Sequence, residues 1–104
     1  MSLQIIRGTT PTIQYTFNKV TVANISTAIM TIKQNGVVKV EKELAAASVG
    51  EKTLSWTLSQ EECFLLKDGL SVIMLNWLTA SGTRGASRRY NVEITPNDVN
   101  EVIS

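Results

Sequence analysis

Residues 26–43 read STAIMTIKQNGVVKVEKE, and this stretch decides the fold class. In its first part Ala28, Met30 and Ile32 fall on one side of an extended chain, and more polar residues fall on the other. Side chains of a β-strand alternate between two faces, so the pattern is typical of a strand that is buried on one side.

The middle of this stretch contains a turn signal. Asn35-Gly36 is the dipeptide that best accommodates the positive φ angles of a type I′ turn. The chain then returns as Val37 to Glu43, with Val38 and Val40 at alternate positions. The segment therefore predicts a β-hairpin that points Val38 and Val40 inward.

The same alternation continues on both sides of the hairpin, in short segments separated by turn residues. About seven such segments are the pattern expected of a sandwich or barrel, and we interpret the chain as an all-β domain folded as a β-sandwich. The other predicted strands are Leu3 to Arg7, Thr12 to Phe17, Thr53 to Ser59, Gly69 to Ala80 and Ala86 to Thr95.

The alternation of apolar and polar residues in these segments also predicts which side chains face the core. The segment from Gly69 to Ala80 is apolar on both faces, which predicts a central strand covered on each side. In the other strands the residues predicted to face inward are Ile13, Tyr15, Phe17, Leu54, Trp56, Leu58, Tyr90, Val92 and Ile94.

One helical turn is predicted within the β domain. Ser59-Gln60-Glu61-Glu62 matches the capping box, in which the first hydroxyl and the last carboxylate each satisfy a free backbone amide at a helix start. One short helical turn should therefore lie near 60–66. Gly69 is placed to end it in a left-handed conformation.

Length and patterning indicate one domain. A chain of 104 residues is close to the most common size of a single domain, and a proline stops the last predicted strand. We therefore expect a single β-sandwich domain at 1–96 and a C-terminal tail at 97–104. The tail is too short to form a stable helix alone, so it either docks or is disordered.

Charge and cysteine content exclude several classes of partner. Ten basic and nine acidic residues leave a net charge of +1, which gives no broad footprint for nucleic acid or anionic lipid. Cys63 is the single cysteine, so no disulfide forms within the chain. The sequence shows no secretion signal and no apolar run near the roughly 20 residues that span a bilayer. It therefore predicts a soluble protein that is not exported, with no nucleic-acid or membrane partner.

The sequence carries no set of residues that could run a catalytic cycle. It has no histidine, the side chain best suited to proton transfer near neutral pH and the commonest transition-metal ligand. Cys63 therefore has no histidine to activate it, and Glu61 and Glu62 would diverge by roughly 100° on a helix. The remaining acids lack calcium-loop spacing. We predict no enzyme, no cofactor and no metal site.

The two tryptophans are the remaining candidates for binding. Trp56 alternates with Leu54 and Leu58, so we assign it to the core. Trp77 lies in a strand with two apolar faces and is either core or the anchor of a partner surface. The possible interface residues are Trp77, Val99, Val102 and Ile103.

An ordered set of segments covers most of the chain. They are Arg7-Gly8-Thr9-Thr10-Pro11-Thr12-Ile13, Ile32-Lys33-Gln34-Asn35-Gly36, Leu58-Ser59-Gln60-Glu61-Glu62, Lys67-Asp68-Gly69, and Leu78-Thr79 leading to Gly82. As a set they resemble a family of small phage and prophage proteins of Gram-positive bacteria, related to the N-terminal domain of the siphophage baseplate upper protein.

This resemblance implies an immunoglobulin-like β-sandwich of antiparallel strands that assembles as a homo-oligomer or with other phage tail and baseplate proteins. It implies a non-enzymatic structural or assembly role, with the protein in the host cytoplasm during assembly and then in the virion. The alternative function is a carbohydrate-binding or adhesin-like β-sandwich module, which would use an exposed Trp77 or Tyr15 as a platform for sugar stacking.

Overall fold

Two packed sheets account for most of the chain, in a computed structural model that describes residues 3–103. The strands are β1 (Leu3–Ile6), β2 (Thr12–Thr16), β3 (Ile25–Gln34), β4 (Val37–Glu43), β5 (Ser48–Val49), β6 (Thr53–Thr57), β7 (Gly69–Thr79), β8 (Arg84–Ala86) and β9 (Tyr90–Thr95). One α-helix, α1 (Gln60–Phe64), and two 3-10 turns, Val22–Asn24 and Leu44–Ala46, lie between them. No helix within these residues is long and apolar enough to cross a membrane.

The larger sheet has the order β1-β9-β7-β3-β4, with β8 also paired to β7, and the smaller sheet has the order β2-β6-β5. The strands β9, β7, β3 and β4 take the positions of strands G, F, C and C′ of an immunoglobulin sandwich, and β2, β6 and β5 take those of B, E and D. The predicted all-β, immunoglobulin-like sandwich is therefore confirmed. Each of the seven longest strands overlaps a predicted segment, and β5 is a short addition. The last segment, predicted at 86–95, is divided, because Ala86 belongs to β8 and β9 begins only at Tyr90. One pair, β1 with β9, is parallel.

The core lies between the two sheets. Ala28, Met30 and Ile32 are fully buried, as the hairpin pattern predicted. Trp56 is 1% exposed, and its indole nitrogen donates a hydrogen bond to the Glu43 carbonyl oxygen at 3.0 Å. That bond satisfies the polar atom of the ring, which allows the largest core side chain to be buried without an unpaired donor. The other predicted core residues that are buried are Ile13, Phe17, Leu54, Leu58, Val92 and Ile94.

The prediction that Val38 points inward is wrong, because the hairpin contains a β-bulge. Ile32 pairs with Val40, but the next residue, Lys33, pairs with Val38, so Lys39 is an extra residue in β4. An extra residue reverses the face of every side chain beyond it. Val38 is consequently 46% exposed, while Val40 is buried.

The capping box at the start of α1 is present as predicted. The Glu62 amide donates to the Ser59 hydroxyl at 3.1 Å, and the Ser59 amide donates to the Glu62 carboxylate at 2.9 Å. Lys42 forms an ion pair with the same carboxylate. The short helix buries Cys63 completely, and the Gly8 amide lies 3.2 Å from its sulfur.

The link between β1 and β2 crosses from one sheet to the other. Its Arg7 side chain donates to the backbone carbonyls of Leu66 at 2.8 Å and Phe64 at 3.0 Å, and its guanidinium lies over the Phe64 ring. Gly8 has a φ of +85° and sits so close to that ring that a Cβ atom would lie 2.4 Å from it. These contacts hold β1 in the larger sheet and β2 at the edge of the smaller one.

The C-terminal segment 97–103 lies against this link and against α1. The Asn97 side chain donates to the Arg7 carbonyl at 2.8 Å, and Arg7 donates to the Asn100 side chain at 3.2 Å. The Gln60 amide group bonds to both backbone polar groups of Ile103, at 2.8 and 3.0 Å. Polar contacts thus hold the segment, although its apolar side chains remain exposed.

Candidate interaction surfaces

The outward-facing residues of β7 form a row on the open face of the larger sheet that is apolar except for Asn76. We define the outer row as Leu70, Val72, Met74, Asn76 and Leu78. Leu70 is 61% exposed and Leu78 is 40% exposed, while the residues between them are half-buried by their strand neighbours. β7 was predicted to be covered on both sides. Within residues 3–103 the smaller sheet covers only its inner face, so that prediction is wrong for the outer face.

The strands beside β7 surround the outer row with a mixture of polar and charged side chains. Three polar or charged residues of the neighbouring strands pair directly with residues of the outer row. The pairs are Lys33 with Val72, Thr31 with Met74, and Glu93 with Leu70. Arg84 donates from its guanidinium to the Asn76 side chain at 3.3 Å. An apolar centre with a polar rim is the usual composition of a protein–protein contact surface.

A groove of about 580 Å³ runs along the free edge of β2, which we call the β2 groove. No strand of the described chain lies beside β2 on this side, the position that strand A takes in constant-type immunoglobulin domains. Every residue that lines the groove within residues 3–103 is uncharged. They are Gln4, Ile5, Pro11, Thr12, Ile13, Gln14, Tyr15, Thr16, Ile73 and Tyr90.

Two tyrosines meet at one end of this groove. The rings of Tyr15 and Tyr90 lie 6.0 Å apart in an edge-on arrangement. Tyr90 was predicted to face inward with Val92; it does share the side of Ile73, its partner in β7, but it remains 42% exposed because the smaller sheet ends at β2.

The Tyr15 hydroxyl is buried and makes no hydrogen bond to any of residues 3–103. Burial raises the pKa of this phenol above its ordinary value of 10.0. The nearby Ser87 hydroxyl acts in the opposite direction, although it lies outside hydrogen-bonding geometry, and Tyr90 adds to the rise. The neutral phenol is therefore the form that the fold favours.

Trp77 lies on the inner face of β7 and packs against the core. Its ring packs edge-on against the ring of Phe17, which directly follows β2. The ring centroids lie 5.0 Å apart, and the angle between the ring planes is 87°. Gly85 lies directly against the indole, where a Cβ atom would come within 2.4 Å of it. The ring is engaged on two sides and half-buried, an arrangement that does not favour sugar stacking.

The other predicted interface residues lie far from Trp77. Val99, Val102 and Ile103 are exposed by 46%, 45% and 68%. They follow β9, whose Ile94 pairs with Gly69 at the start of β7, and Trp77 lies eight residues further along that strand. At about 3.3 Å per residue this separates the two regions by roughly 26 Å. The four candidates therefore do not form one surface.

The side chains that were considered for catalysis or metal binding do not come together in a reactive site. Cys63 is buried, Glu62 is engaged by Ser59 and Lys42, and Glu61 is exposed beside them. Among residues 3–103, no group of three or more His, Cys, Asp or Glu side chains could hold a metal ion. The features that stand out are surfaces suited to contacts, the outer row and the β2 groove.

Sequence reasoning predicted the outer row to be covered, and of the residues that line the β2 groove it named Tyr15 alone, as a possible platform for a sugar. The pattern that could have identified the outer row is the presence of apolar residues on both faces of β7. We interpreted it as a strand that the rest of the domain covers on each side. The signal for the β2 groove was the run from Thr12 to Thr16, which is a strand without a single charged residue.

Comparison with known proteins adds information on the fold. No family model matches the chain, and no curated protein matches it. Among solved structures the chain is similar to CopC from Methylosinus trichosporium OB3b, with a TM-score of 0.61 and 14% identity over 94% of this chain and 87% of that one. The V domain of amphioxus IgVJ-C2 aligns with a TM-score of 0.36 and 12% identity over 89% of this chain and 99% of that one, which is too low to support an argument. The likeness to CopC concerns the fold alone, and it agrees with the two-sheet sandwich described above.

Proposed function

We propose that this domain is a non-enzymatic structural or assembly protein of a bacteriophage or prophage, part of a tail or baseplate, that acts through protein–protein contacts. The phage setting rests on the resemblance of the ordered sequence segments. The observation that supports a contact role is the outer row, because an apolar sheet face without a covering layer is a surface that another protein can bury.

Burial of the outer row would supply part of the free energy that association with a partner requires. Fully burying a leucine that was exposed is worth roughly 1.5–3 kcal/mol. Leu70 and Leu78 both stand open on the outer row, with half-buried Val72 and Met74 between them. A partner that covers this row therefore gains several kcal/mol before the costs of association, which are of similar size.

The test is binding of the tail and baseplate proteins encoded beside this protein, measured by calorimetry with purified components. We expect Leu70→Lys to weaken binding at least tenfold, because it places a charge at the end of the outer row. Val49→Lys is the matched control, since Val49 is also 61% exposed but lies in β5 of the smaller sheet. Equal binding by both variants would remove the outer row from the proposal.

The phage setting needs a separate measurement. Antibody labelling of purified particles, or mass spectrometry of their tail fraction, should detect the protein in the virion or in tail-assembly intermediates. A cell in which neither fraction contains it, although phage particles form normally, would contradict the proposed role.

A further inference from the structure

The backbone of β2 offers hydrogen-bonding groups to the β2 groove. The Phe17 amide donates to the Lys52 carbonyl at 2.7 Å, and the Leu58 amide donates to the Pro11 carbonyl at 2.9 Å. In an antiparallel ladder these bonds alternate along each strand, so the odd-numbered residues of β2 are the ones bonded to β6. The amides and carbonyls of Thr12, Gln14 and Thr16 therefore point to the free edge.

Nothing in β2 protects this edge from pairing with another strand. Natural sheets protect exposed edges with charged residues, bulges or very short strands. The free edge of β4 has such protection, since it carries Lys39, Glu41 and a bulge, and β5 is two residues long. β2 has five residues in regular register, none of them charged.

The groove indicates the chemistry of its occupant. Its lining is uncharged, and the buried Ile5 and Ile73 of the larger sheet form an apolar floor. A charged segment would lose solvation there without gaining a partner. The fitting occupant is an extended, uncharged strand with apolar residues at alternate positions.

β2 itself has these properties, and it is complementary to itself. We propose that β2 pairs antiparallel with β2 of a second copy, around a two-fold axis at Gln14. In this register Thr12 lies opposite Thr16 of the other copy, Gln14 lies opposite Gln14, and the six free edge residues make about six hydrogen bonds. Two three-stranded sheets then become one six-stranded sheet.

The side chains agree with this register. Ile13 of one copy lies beside Tyr15 of the other on the inner face, and a β-branched residue opposite an aromatic residue is a favourable cross-strand pair. A two-fold contact uses the same patch on both copies, so the assembly closes at two. The pairing involves the smaller sheet, away from the outer row, and it goes beyond the proposed function.

The first experiment measures mass by light scattering after size exclusion. We expect the wild-type chain to have twice the 11.4 kDa mass of one copy, and Gln14→Pro to be a monomer. Proline suits this position because the Gln14 amide points away from β6, so its loss leaves the fold intact. Circular dichroism and the thermal midpoint verify that fold.

Charge variants at the same residue test the pairing without changing the backbone. Gln14→Lys and Gln14→Glu each place like charges across the two-fold axis. The dissociation constant of the dimer should therefore be at least tenfold higher for each variant alone than for the wild type. An equal mixture of the two should restore the dimer. Asn18→Lys, which adds the same charge beyond the end of β2, is the control that should leave the dimer unchanged.

Disulfide trapping tests the register. Residues at position 14 face each other at a Cα separation near 5.5 Å, within disulfide range, whereas the two copies of position 12 lie roughly 14 Å apart. With diamide as the oxidant, Gln14→Cys should cross-link at least tenfold faster than Thr12→Cys. Cys63 is buried and does not compete.

A wild-type chain that stays monomeric at millimolar concentration would overturn the inference, and so would a dimer that persists in Gln14→Pro. Dissociation by Leu70→Lys in place of the Gln14 variants would also overturn it, because self-association would then use the outer row. A monomer that binds a tail protein through the β2 groove, with Gln14→Pro abolishing that binding, would assign the edge to that partner.

Discussion

Gly8 and Gly85 each lie directly against an aromatic ring, at a distance that leaves no room for a Cβ atom. Gly8 meets the Phe64 ring and also needs its positive φ, whereas Gly85 has an ordinary φ and is constrained only by the Trp77 indole. The contact at Gly85 thus isolates a packing effect from a conformational one. It also explains how a tryptophan at the open end of the sandwich is held in one position.

We expect Gly85→Ala to destabilise the domain by about 1–3 kcal/mol, because the added methyl group forces the Trp77 ring to shift. Urea denaturation followed by tryptophan fluorescence measures the change in the free energy of unfolding. The double variant Gly85→Ala with Trp77→Leu is the control, since removing the ring should remove most of the cost. Equal costs in both backgrounds would contradict this account.

The Tyr15 hydroxyl is a polar group that the fold buries without a partner among residues 3–103. Removing an unpaired buried group is neutral or favourable, so Tyr15→Phe should leave stability unchanged or raise it by up to about 1 kcal/mol. Because the folded pKa of the phenol is raised, the wild-type domain should lose stability as pH rises past the ordinary value of 10.0.

The measurement is the free energy of unfolding between pH 8 and 11 for both proteins. The Phe variant should lose less stability over this range, since the remaining loss comes from other groups. Parallel curves for the two proteins would show that Tyr15 is not the group responsible.

At the scale of elements, α1 depends on charge as well as on hydrogen bonds. Burial acts to raise the pKa of Glu62, but the hydrogen bond and charge of Lys42 and the hydrogen bonds of Ser59 outweigh it, so the pKa lies below its ordinary value of 4.5. The ionised carboxylate therefore stabilises the fold above that value, and this contribution is lost as pH falls.

Glu62→Gln keeps an acceptor for the capping box and removes the charge. We expect the variant to be less stable than the wild type at pH 7, by at most about 1 kcal/mol, and the difference to vanish as pH falls below about 4. Thermal denaturation at pH 7, 5 and 3 measures it. Glu61→Gln, which removes the same charge at the exposed neighbouring position and leaves the capping box intact, is the matched control.

Some secondary-structure elements were predictable from the sequence and others were not. The alternation in β3 and β6 and the capping signal of α1 are local properties. Both strands were therefore predicted with the residues of their buried faces, and the helix with its capping box. The bulge at Lys39 was not, because the register of β4 depends on the whole sheet and not on its own residues. The predicted last strand is divided for a similar reason, since the Ser87 hydroxyl accepts from the Leu75 amide at 2.9 Å and ends the pairing of β8.

The candidate surfaces were harder to predict, for a physical reason. Apolar residues in β7 have the same pattern whether the chain or another protein covers them, so the sequence cannot distinguish a core face from a contact face. The β2 groove depends on which sheet receives β1. That choice follows from the contacts of Arg7 and Gly8 with Phe64, which join residues far apart in the sequence.

At the scale of the whole molecule, the unequal sheets produce the open features on the inner side of the larger sheet. A sheet of three strands covers a sheet of six only in part. The groove, the exposed side of Tyr90 and the half-buried Trp77 all lie where the smaller sheet stops. An additional strand beside β2 would extend the smaller sheet at that edge.

The stability of the wild-type domain should therefore depend on its own concentration. Binding that occurs in the folded state alone stabilises that state by mass action, so the thermal midpoint should rise by roughly 3–6 °C for each tenfold increase in concentration where copies are paired. Gln14→Pro, which lacks the amide at the centre of the pairing, should have a midpoint independent of concentration. Calorimetric scans of both proteins from micromolar to millimolar concentration make the comparison. A flat midpoint for the wild type would mean that the free edge of β2 stays unpaired in solution.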